Sequence, residues 1–224
     1  MFKRRYRCIL CNKYWSKSYI AHSHLGIGIC KLCLSEARTG GDRSFQSRPP
    51  VDYVLSPFYY DGYMRKAVKR YKFSGQKAYG ILFGRMLGTE LANHPFLKEY
   101  DYIIPVPLHG KRLCERGYNH SELLSMGLAE GIGKPFLIDV LFRVCETKQQ
   151  SGLGSVNRVD NVKDAFYAPE GIVCGKKIIL VDDIFTTGET LRACANALKN
   201  AGAERIAGVA LCRPHFEEKT NIYR

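Results

Sequence analysis

The clearest hydrophobic pattern lies toward the carboxyl end of the chain. Residues 177–181 (KIILV) form a continuous apolar run, which is typical of a parallel strand buried on both faces. Residues 182–188 are polar and predict a loop, and residues 189–200 carry apolar side chains at helical spacing, with Gly202 as their C-cap. Residues 206–211 predict the next strand. This order of elements predicts an open α/β sheet, whose ligands gather at the carboxyl ends of its strands.

Shorter elements precede this unit. Residues 53–60 are strand-like and rich in aromatic side chains, and residues 102–106 predict a further strand. Residues 63–73 and 81–91 have helical spacing, and the lysines and arginines of the first of these helices lie off its apolar side. We therefore expect an open, mostly parallel sheet flanked by helices.

The chain divides at residues 38–50, which contain glycine, serine, proline and charge but no apolar periodicity and so predict a linker. We expect a zinc-binding module at 1–37 and an α/β domain at 51–224, which 224 residues can accommodate. No run of eighteen apolar residues appears, and the basic start of the chain leads into cysteines rather than an apolar segment. These features predict a cytoplasmic protein without membrane insertion.

The net charge of +13 is unevenly distributed. Residues 1–80 hold 16 lysines and arginines against 4 acidic residues, whereas the remaining residues hold 18 against 17. A basic first third on a nearly neutral body is typical of a protein with a polyanionic partner such as nucleic acid. The same charge would also suit a solvated surface that keeps the protein soluble.

Four of the nine cysteines form two pairs, Cys8-x-x-Cys11 and Cys30-x-x-Cys33, which are separated by 18 residues. This spacing predicts a structural zinc site, because four thiolates leave no open position for water. His22 could instead replace one cysteine, as could His24. Zinc would supply most of the folding energy of so small a segment.

The other five cysteines are scattered singly, which is typical of small buried apolar residues. They are Cys114, Cys145, Cys174, Cys194 and Cys212.

Aromatic residues are interleaved with the basic residues of the cysteine-bearing segment. They are Tyr6, Tyr14, Trp15 and Tyr19. Exposed rings beside lysines suit a single strand of nucleic acid, on which bases stack. Alternatively, the rings form the core of the module.

Two adjacent carboxylates, Asp182 and Asp183, follow the buried strand 177–181. Their burial is costly unless a positive group is nearby. The loop behind them offers hydroxyls and a glycine at the start of a helix, where free N–H groups and the helix dipole favour a phosphate. The candidate phosphate-binding residues are Thr186, Thr187, Gly188, Glu189 and Thr190. A ribose 5-phosphate with Mg²⁺ would satisfy both parts, although a plain helix-capping loop is the alternative.

The segment 178–190 resembles the phosphoribosyl pyrophosphate (PRPP) motif of type I phosphoribosyltransferases, with four apolar residues, two acids and a Thr/Gly loop. The resemblance implies that Asp182 and Asp183 hold the ribose hydroxyls, a role we class as catalytic through ligand positioning. It implies that 186–190 bind the 5-phosphate, with Mg²⁺ accompanying PRPP.

Two further segments resemble the ComF (competence protein) family, and the resemblance extends over nearly the whole chain. One is Pro105-Val106-Pro107-Leu108-His109 with Arg112, Arg116, Gly117, Tyr118 and Asn119. The other comprises Thr147, Gln150, Arg158, Asn161, Val162, Ala165 and Phe166. A four-cysteine module in front of the domain is also common in that family.

The resemblance implies a pyrophosphate-receiving loop at Leu108, His109 and Arg112, and residues 116–121, beginning with Arg116, as the closing loop. His120 stands where the family usually has glutamine. The implied function is PRPP binding together with the handling of single-stranded DNA during DNA uptake in natural transformation, alongside a helicase or channel protein. The alternative is an active phosphoribosyltransferase of nucleotide salvage, which releases pyrophosphate, takes an unidentified acceptor and has no role with DNA.

Overall fold

The computed structural model describes residues 5–37, 44–73, 75–144 and 165–215. The first of these ranges forms a four-stranded sheet, a short 3-10 helix (Lys17–Tyr19) and one α-helix around the paired cysteines. Its elements are β1 (Arg5–Cys8), β2 (Tyr14–Ser16), β3 (Ile20–His24), β4 (Ile27–Cys30) and α1 (Lys31–Ala37). The strands are ordered β2-β1-β4-β3, and only β1 and β4 run parallel.

The remaining described residues form an α/β domain. Its elements are β5 (Ser44–Gln46), β6 (Tyr53–Leu55), β7 (Phe58–Tyr59), α2 (Gly62–Phe73), α3 (Lys77–Leu91), β8 (Tyr102–Pro105), α4 (Gly110–Arg116), α5 (His120–Ile132), β9 (Phe142–Arg143), β10 (Phe166–Tyr167), β11 (Lys177–Ile184), α6 (Glu189–Asn200) and β12 (Arg205–Arg213).

The central sheet has the order β5-β6-β12-β11-β8, and β7 also pairs with β12. All of its pairings are parallel except that of the edge strand β5 with β6. The predicted open, mostly parallel sheet flanked by helices is therefore confirmed. Residues 44–46 of the predicted linker form this edge strand, and its residues 38–43 lie outside the described part of the chain.

Successive residues of β11 face opposite sides of the sheet, as a strand requires. Ile179 and Val181 belong to the core shared with α2, α3 and α5, whereas Ile178 and Leu180 belong to the core beneath α6. Each side therefore buries apolar side chains, which explains the continuous hydrophobic run in the sequence.

Glycines allow α3 and α5 to pack with their backbones in contact. A Cβ atom on Gly84 would lie 2.2 Å from the carbonyl oxygen of Leu124, and one on Gly127 would lie 2.3 Å from that of Ile81. Any larger residue would push the helices apart. This close pair carries α5, whose first turn reaches the end of β11, and so sets one wall of the candidate site.

The cysteine-bearing sheet is not isolated from the domain. Ile9, Leu10 and Ile29 are at most 2% exposed and belong to the same apolar core as α2 and α3. Arg85 on α3 also donates a hydrogen bond to the carbonyl oxygen of Ser23. The module and the domain thus stabilise each other through a continuous hydrophobic contact.

Two of the scattered cysteines differ from expectation. Cys194 and Cys212 are buried as predicted, but Cys114 and Cys174 are exposed, because they lie on the outer side of a short helix and in a turn. Cys145 lies outside the described residues. Across the part of the chain that the structure describes, no helix combines the length and apolar character needed to cross a membrane.

Candidate functional site

The two acids occupy the carboxyl end of the central strand. β11 extends to Ile184, so Asp182 and Asp183 are strand residues and not, as predicted, the start of a loop. They continue the parallel ladder, in which Asp182 lies opposite Ala210 of β12. Ligands of open α/β sheets bind at the carboxyl ends of the strands. The two carboxylates lie in the middle of this region.

Asp182 is strongly perturbed by its surroundings. Desolvation is the main cause and the charge of Asp183 adds to it, so that the pKa of Asp182 rises from 3.8 to about 7. The residue keeps some exposed area, but protein atoms enclose its carboxyl closely. Its Oδ1 accepts hydrogen bonds from the backbone N–H of Asp183 at 2.8 Å and from the Ser121 hydroxyl at 3.3 Å.

Asp183 has a different partner. Lys72 Nζ lies 2.8 Å from each of its carboxylate oxygens, and both side chains are largely buried. The lysine therefore brings a positive charge directly to the acid pair. A carboxyl group with a raised pKa at the carboxyl end of a central strand, as in Asp182, is typical of a functional site.

Sequence reasoning missed Lys72, and it placed Ser121 only at the end of the predicted closing loop, not against Asp182. Lys72 is the penultimate residue of α2 and lies 111 positions before its partner. The fully buried Tyr71 precedes it, so this end of the helix faces the protein in the structure. Ser121 lies in the first turn of α5, where the Asn119 side chain accepts a hydrogen bond from its backbone N–H.

The predicted phosphate loop leads directly from β11 into α6. Gly188 is the N-cap of α6 with φ of +77°, a conformation that favours glycine. Thr186 and Thr187 are exposed, and Thr190 lies in the first turn of the helix. The N–H groups at the start of a helix, together with nearby hydroxyls, suit a phosphate group.

Glu189 has a partner within α6. Its carboxylate forms an ion pair with Arg192 one turn later. The backbone N–H of Arg192 donates to the carbonyl oxygen of Gly188, which closes the first turn of α6. The predicted site residue Glu189 is thus paired with an arginine that the sequence alone did not single out.

The second predicted loop adjoins the acids. It follows β8, which pairs with β11, and the backbone N–H of Val106 donates to the carbonyl oxygen of Val181. Leu108 lines a cleft of about 270 Å³, while His109 is the N-cap of α4 and accepts from the backbone N–H of Lys111. The geometry therefore brings the two loops to neighbouring strand ends.

Three arginines lie around this second loop. Burial and the nearby positive charge of Arg112 lower the pKa of Arg143, and the negative charge of Asp182 acts in the opposite direction. The Arg116 guanidinium lies over the ring of Phe73, at the end of α2. The sequence did not single out Arg143 as a site residue.

The predicted closing loop contains the junction between α4 and α5. Residues 116–121 join two helices: Gly117 adopts φ of +72° at the end of α4, and α5 begins at His120. His120 is 3% exposed, and its ring lies against those of Tyr71 and Tyr118. Burial lowers the pKa of His120. Tyr118 and His120 are thus packed against α2, and closure of this segment over a ligand stays a prediction.

The four paired cysteines converge. The sulfur atoms of Cys8, Cys11, Cys30 and Cys33 all lie within 4.8 Å of one another. The backbone N–H of Cys30 points at the Cys8 sulfur, and burial raises the pKa of the Cys8 thiol to about 11. Tetrahedral Zn–S bonds would place sulfurs about 3.8 Å apart, so the cluster fits such a metal.

Neither histidine of the module belongs to this group of four. His24 Nδ1 lies 3.5 Å from the Arg85 guanidinium, at the contact with α3. The exposed rings of the module are Tyr14, 66% exposed, and Tyr19, 57% exposed, whereas Tyr6 and Trp15 pack partly against the core. Two of the four rings are therefore exposed and two pack against the core, and stacking of nucleic-acid bases on the exposed pair stays a prediction.

Five residues of the second family-like segment lie outside the described part of the chain. They are Thr147, Gln150, Arg158, Asn161 and Val162. The other two are buried: Ala165 beside β10 and Phe166 within it.

Comparison with known proteins gives consistent results. A model of the phosphoribosyl transferase domain matches residues 131–222. Competence protein ComFC of Streptococcus pneumoniae is 33% identical over 158 residues, which cover 70% of this chain and 66% of that protein. Competence protein F of Haemophilus influenzae is 28% identical over 230 residues, covering 93% and 97%. DNA utilization protein YhgH of Salmonella typhimurium is 32% identical over 174 residues, covering 76% of each chain.

Proposed function

Because this chain belongs to the ComF family, whose members combine competence or DNA-utilization roles with a phosphoribosyl transferase domain, we propose that it binds PRPP at the acid pair and handles single-stranded DNA in the cytoplasm during DNA uptake. The observation that carries the first half is the union of Asp182 and Asp183 with a Thr-Thr-Gly loop at the start of α6. A DNA-uptake helicase or channel protein would be its partner in that process.

The two parts of the site suit the two ends of a ribose 5-phosphate. The ribose hydroxyls would donate to Asp183 and accept from or donate to Asp182, which can hold or release a proton near neutral pH. The 5-phosphate would accept from the N–H groups of the first turn of α6 and from the hydroxyls of Thr186 and Thr187. Arg112 and Arg143 would face the pyrophosphate.

Two metals belong to this proposal. Mg²⁺ bound with PRPP would offset the charge of the pyrophosphate, with the carboxylates of the acid pair as its protein contacts. Zinc held by the four cysteines would contribute folding energy. Both assignments rest on the chemistry of the donor groups: carboxylate oxygens for magnesium and thiolates for zinc.

Calorimetric titration with PRPP, with and without Mg²⁺, tests the first half. We expect wild-type protein to bind and the double variant Asp182→Asn/Asp183→Asn to lose binding, while its unfolding remains cooperative. Asp101→Asn is the matched control, since that carboxylate is exposed at the opposite end of the sheet, where it accepts from the backbone N–H of Lys177. Binding that the double variant retains would refute the assignment.

The DNA half rests on the basic, aromatic surface of the cysteine module. Lys13 and Tyr14 are exposed neighbours, and Lys17 leads into the turn that presents Tyr19. Positive charge beside stacking rings suits a single strand. Deleting the module is a poor test, because its apolar residues belong to the core of the domain.

Point substitutions avoid this problem. We expect Lys13→Ala/Tyr14→Ala/Lys17→Ala to weaken binding of a fluorescent oligothymidine. The slope of the logarithm of the binding constant against the logarithm of the salt concentration should become shallower by about 0.7 per lost phosphate contact. Lys98→Ala/Lys176→Ala removes two exposed lysines elsewhere and is the matched control. Equal losses in both variants, or none in the first, would refute a DNA surface on the module.

Phosphoribosyl transfer remains the alternative activity. It requires an acceptor that attacks the sugar while positive groups stabilise the departing pyrophosphate. Release of pyrophosphate in the presence of a panel of nucleobases would support it, provided that Asp182→Asn/Asp183→Asn abolishes the release.

A further inference from the structure

The carboxyl end of α2 contacts both the cysteine cluster and the acid pair. The buried stripe of this helix consists of Met64, Ala67, Val68 and Tyr71. Arg70 and Lys72 flank Tyr71, and consecutive helical residues point about 100° apart. The two cations therefore leave the buried stripe on opposite sides, one toward the module and the other toward β11.

Arg70 binds the turn between the first two cysteines. Its Nη2 donates to the carbonyl oxygens of Ile9 at 2.5 Å and Leu10 at 3.2 Å. These are the two residues between Cys8 and Cys11. The turn is held by backbone hydrogen bonds from Asn12 to Cys8 and from Ile9 to Gly28, so both carbonyls have a fixed direction only while this turn is formed.

Tyr71 fixes the helix end against α5. Its hydroxyl donates to the carbonyl oxygen of His120 at 2.6 Å, and its own carbonyl oxygen accepts from the Tyr118 hydroxyl at 2.9 Å. The side chain is fully buried. The residue after His120 is Ser121, whose hydroxyl donates to Asp182. Asp182 is thus connected to Tyr71 by hydrogen bonds through the first turn of α5.

Lys72 holds the other acid directly, with Nζ 2.8 Å from both oxygens of Asp183. Three consecutive residues therefore connect the cysteine turn, the first turn of α5 and the acid pair. A displacement of the cysteine turn would move Arg70, and a rigid helix would transmit that movement to Lys72, only two residues away.

We propose that metal in the four-cysteine cluster strengthens PRPP binding through the carboxyl end of α2, with Arg70 and Lys72 as positioning residues. The inference rests on the proposed function of the acid pair and adds that metal binding regulates it. The metal fixes the turn between Cys8 and Cys11, the turn fixes Arg70, and the helix then presents Lys72 to Asp183.

Such coupling is reciprocal. If metal raises the affinity for PRPP about tenfold, PRPP must raise the affinity for metal by the same factor. The test therefore needs no enzymatic activity. We would measure competition for Zn²⁺ between the protein and a chromogenic chelator at equilibrium, with and without PRPP and Mg²⁺.

We expect PRPP to raise the apparent Zn²⁺ affinity of wild-type protein about tenfold. Arg70→Gln should still bind both ligands but reduce this factor to near one. A purely structural role of Arg70 would lower stability and leave the factor unchanged. Lys69→Gln on the exposed side of the same helix is the matched control and should keep the full factor.

The outcomes separate the inference from the function on which it rests. PRPP binding by wild-type protein that leaves the Zn²⁺ affinity unchanged overturns the inference and keeps the proposed function. Absence of PRPP binding by zinc-loaded wild-type protein overturns both. If Arg70→Gln fails to fold, the wild-type measurement still decides, because reciprocity requires no variant.

Discussion

Asp182→Asn should stabilise the folded protein at alkaline pH while it weakens PRPP binding. Asn has the size of Asp, and its side-chain oxygen can still accept from the backbone N–H of Asp183 and the Ser121 hydroxyl. It removes the negative charge that desolvation and Asp183 disfavour. Functional carboxylates commonly reduce stability in this way.

The sign of the effect follows from the shift in pKa. Folding raises the pKa of Asp182 from 3.8 to about 7, so the folded state keeps its proton over a range in which the unfolded chain has lost it. The unfolded state is favoured increasingly as the pH rises from about 4 to about 7. Asp182 therefore does not reduce the free energy of unfolding of wild-type protein below about pH 4, and it reduces it fully above about pH 7.

The magnitude follows from the same shift. About three pH units correspond to about 4 kcal/mol at the rate of about 1.36 kcal/mol per unit. Relaxation around the charge and its coupling to Asp183 reduce this figure, so we expect a gain of about 2–4 kcal/mol for the variant at pH 8. At pH 5 the gain should be smaller by at least about 1 kcal/mol.

Urea unfolding followed by circular dichroism at both pH values measures this difference. Asp139→Asn is the control, because Asp139 is exposed and its φ of +58° is readily adopted by asparagine. A gain of equal size at pH 5 and pH 8, or a loss at pH 8, would refute the reasoning that Asp182 is buried at a cost.

Three other predictions concern the acid pair, the contact between α3 and α5, and the four-cysteine cluster. Lys72→Met should weaken PRPP binding in calorimetry about tenfold, because Asp183 loses its charged partner. Lys72→Arg should bind PRPP almost as tightly as wild-type protein. Equal affinities of Lys72→Met and wild-type protein would contradict this prediction. Gly127→Ala should lower the free energy of unfolding by about 2 kcal/mol, because its Cβ would lie 2.3 Å from the Ile81 carbonyl oxygen. Gly110→Ala, with nothing within 4 Å, should not, and equal effects would disprove the tight helix contact. A zinc chelator should lower the thermal midpoint by about 10 °C or more, and an unchanged midpoint would exclude a structural metal.

The parts of the site that are contiguous in sequence could be predicted. The strand, the acids Asp182 and Asp183, the glycine at 188 and the helix from 189 follow one another within a few residues, so local patterns suffice. The cysteine pairs could be predicted for the same reason, because the spacing within each pair specifies a turn that can bind a metal.

Long-range contacts could not be predicted in this way. Lys72 was one of several basic residues on an amphipathic helix, and nothing in the local pattern distinguished it from Lys69, which is exposed. The module was predicted to be separate because 38–50 lack periodicity, but Ile9 and Leu10 pack against α2 regardless of the connection. The resemblance predicts a closing loop at 116–121 but gives no sign that Tyr118 and His120 pack against Tyr71, which lies far from them in the sequence.

The most direct test of the account is a crystal structure of the zinc-loaded protein with PRPP and Mg²⁺. We predict that the ribose hydroxyls bind Asp182 and Asp183, and that the 5-phosphate lies on the first turn of α6 beside Thr186 and Thr187. Density for PRPP at any other position, or an empty acid pair at saturating PRPP, would contradict the account.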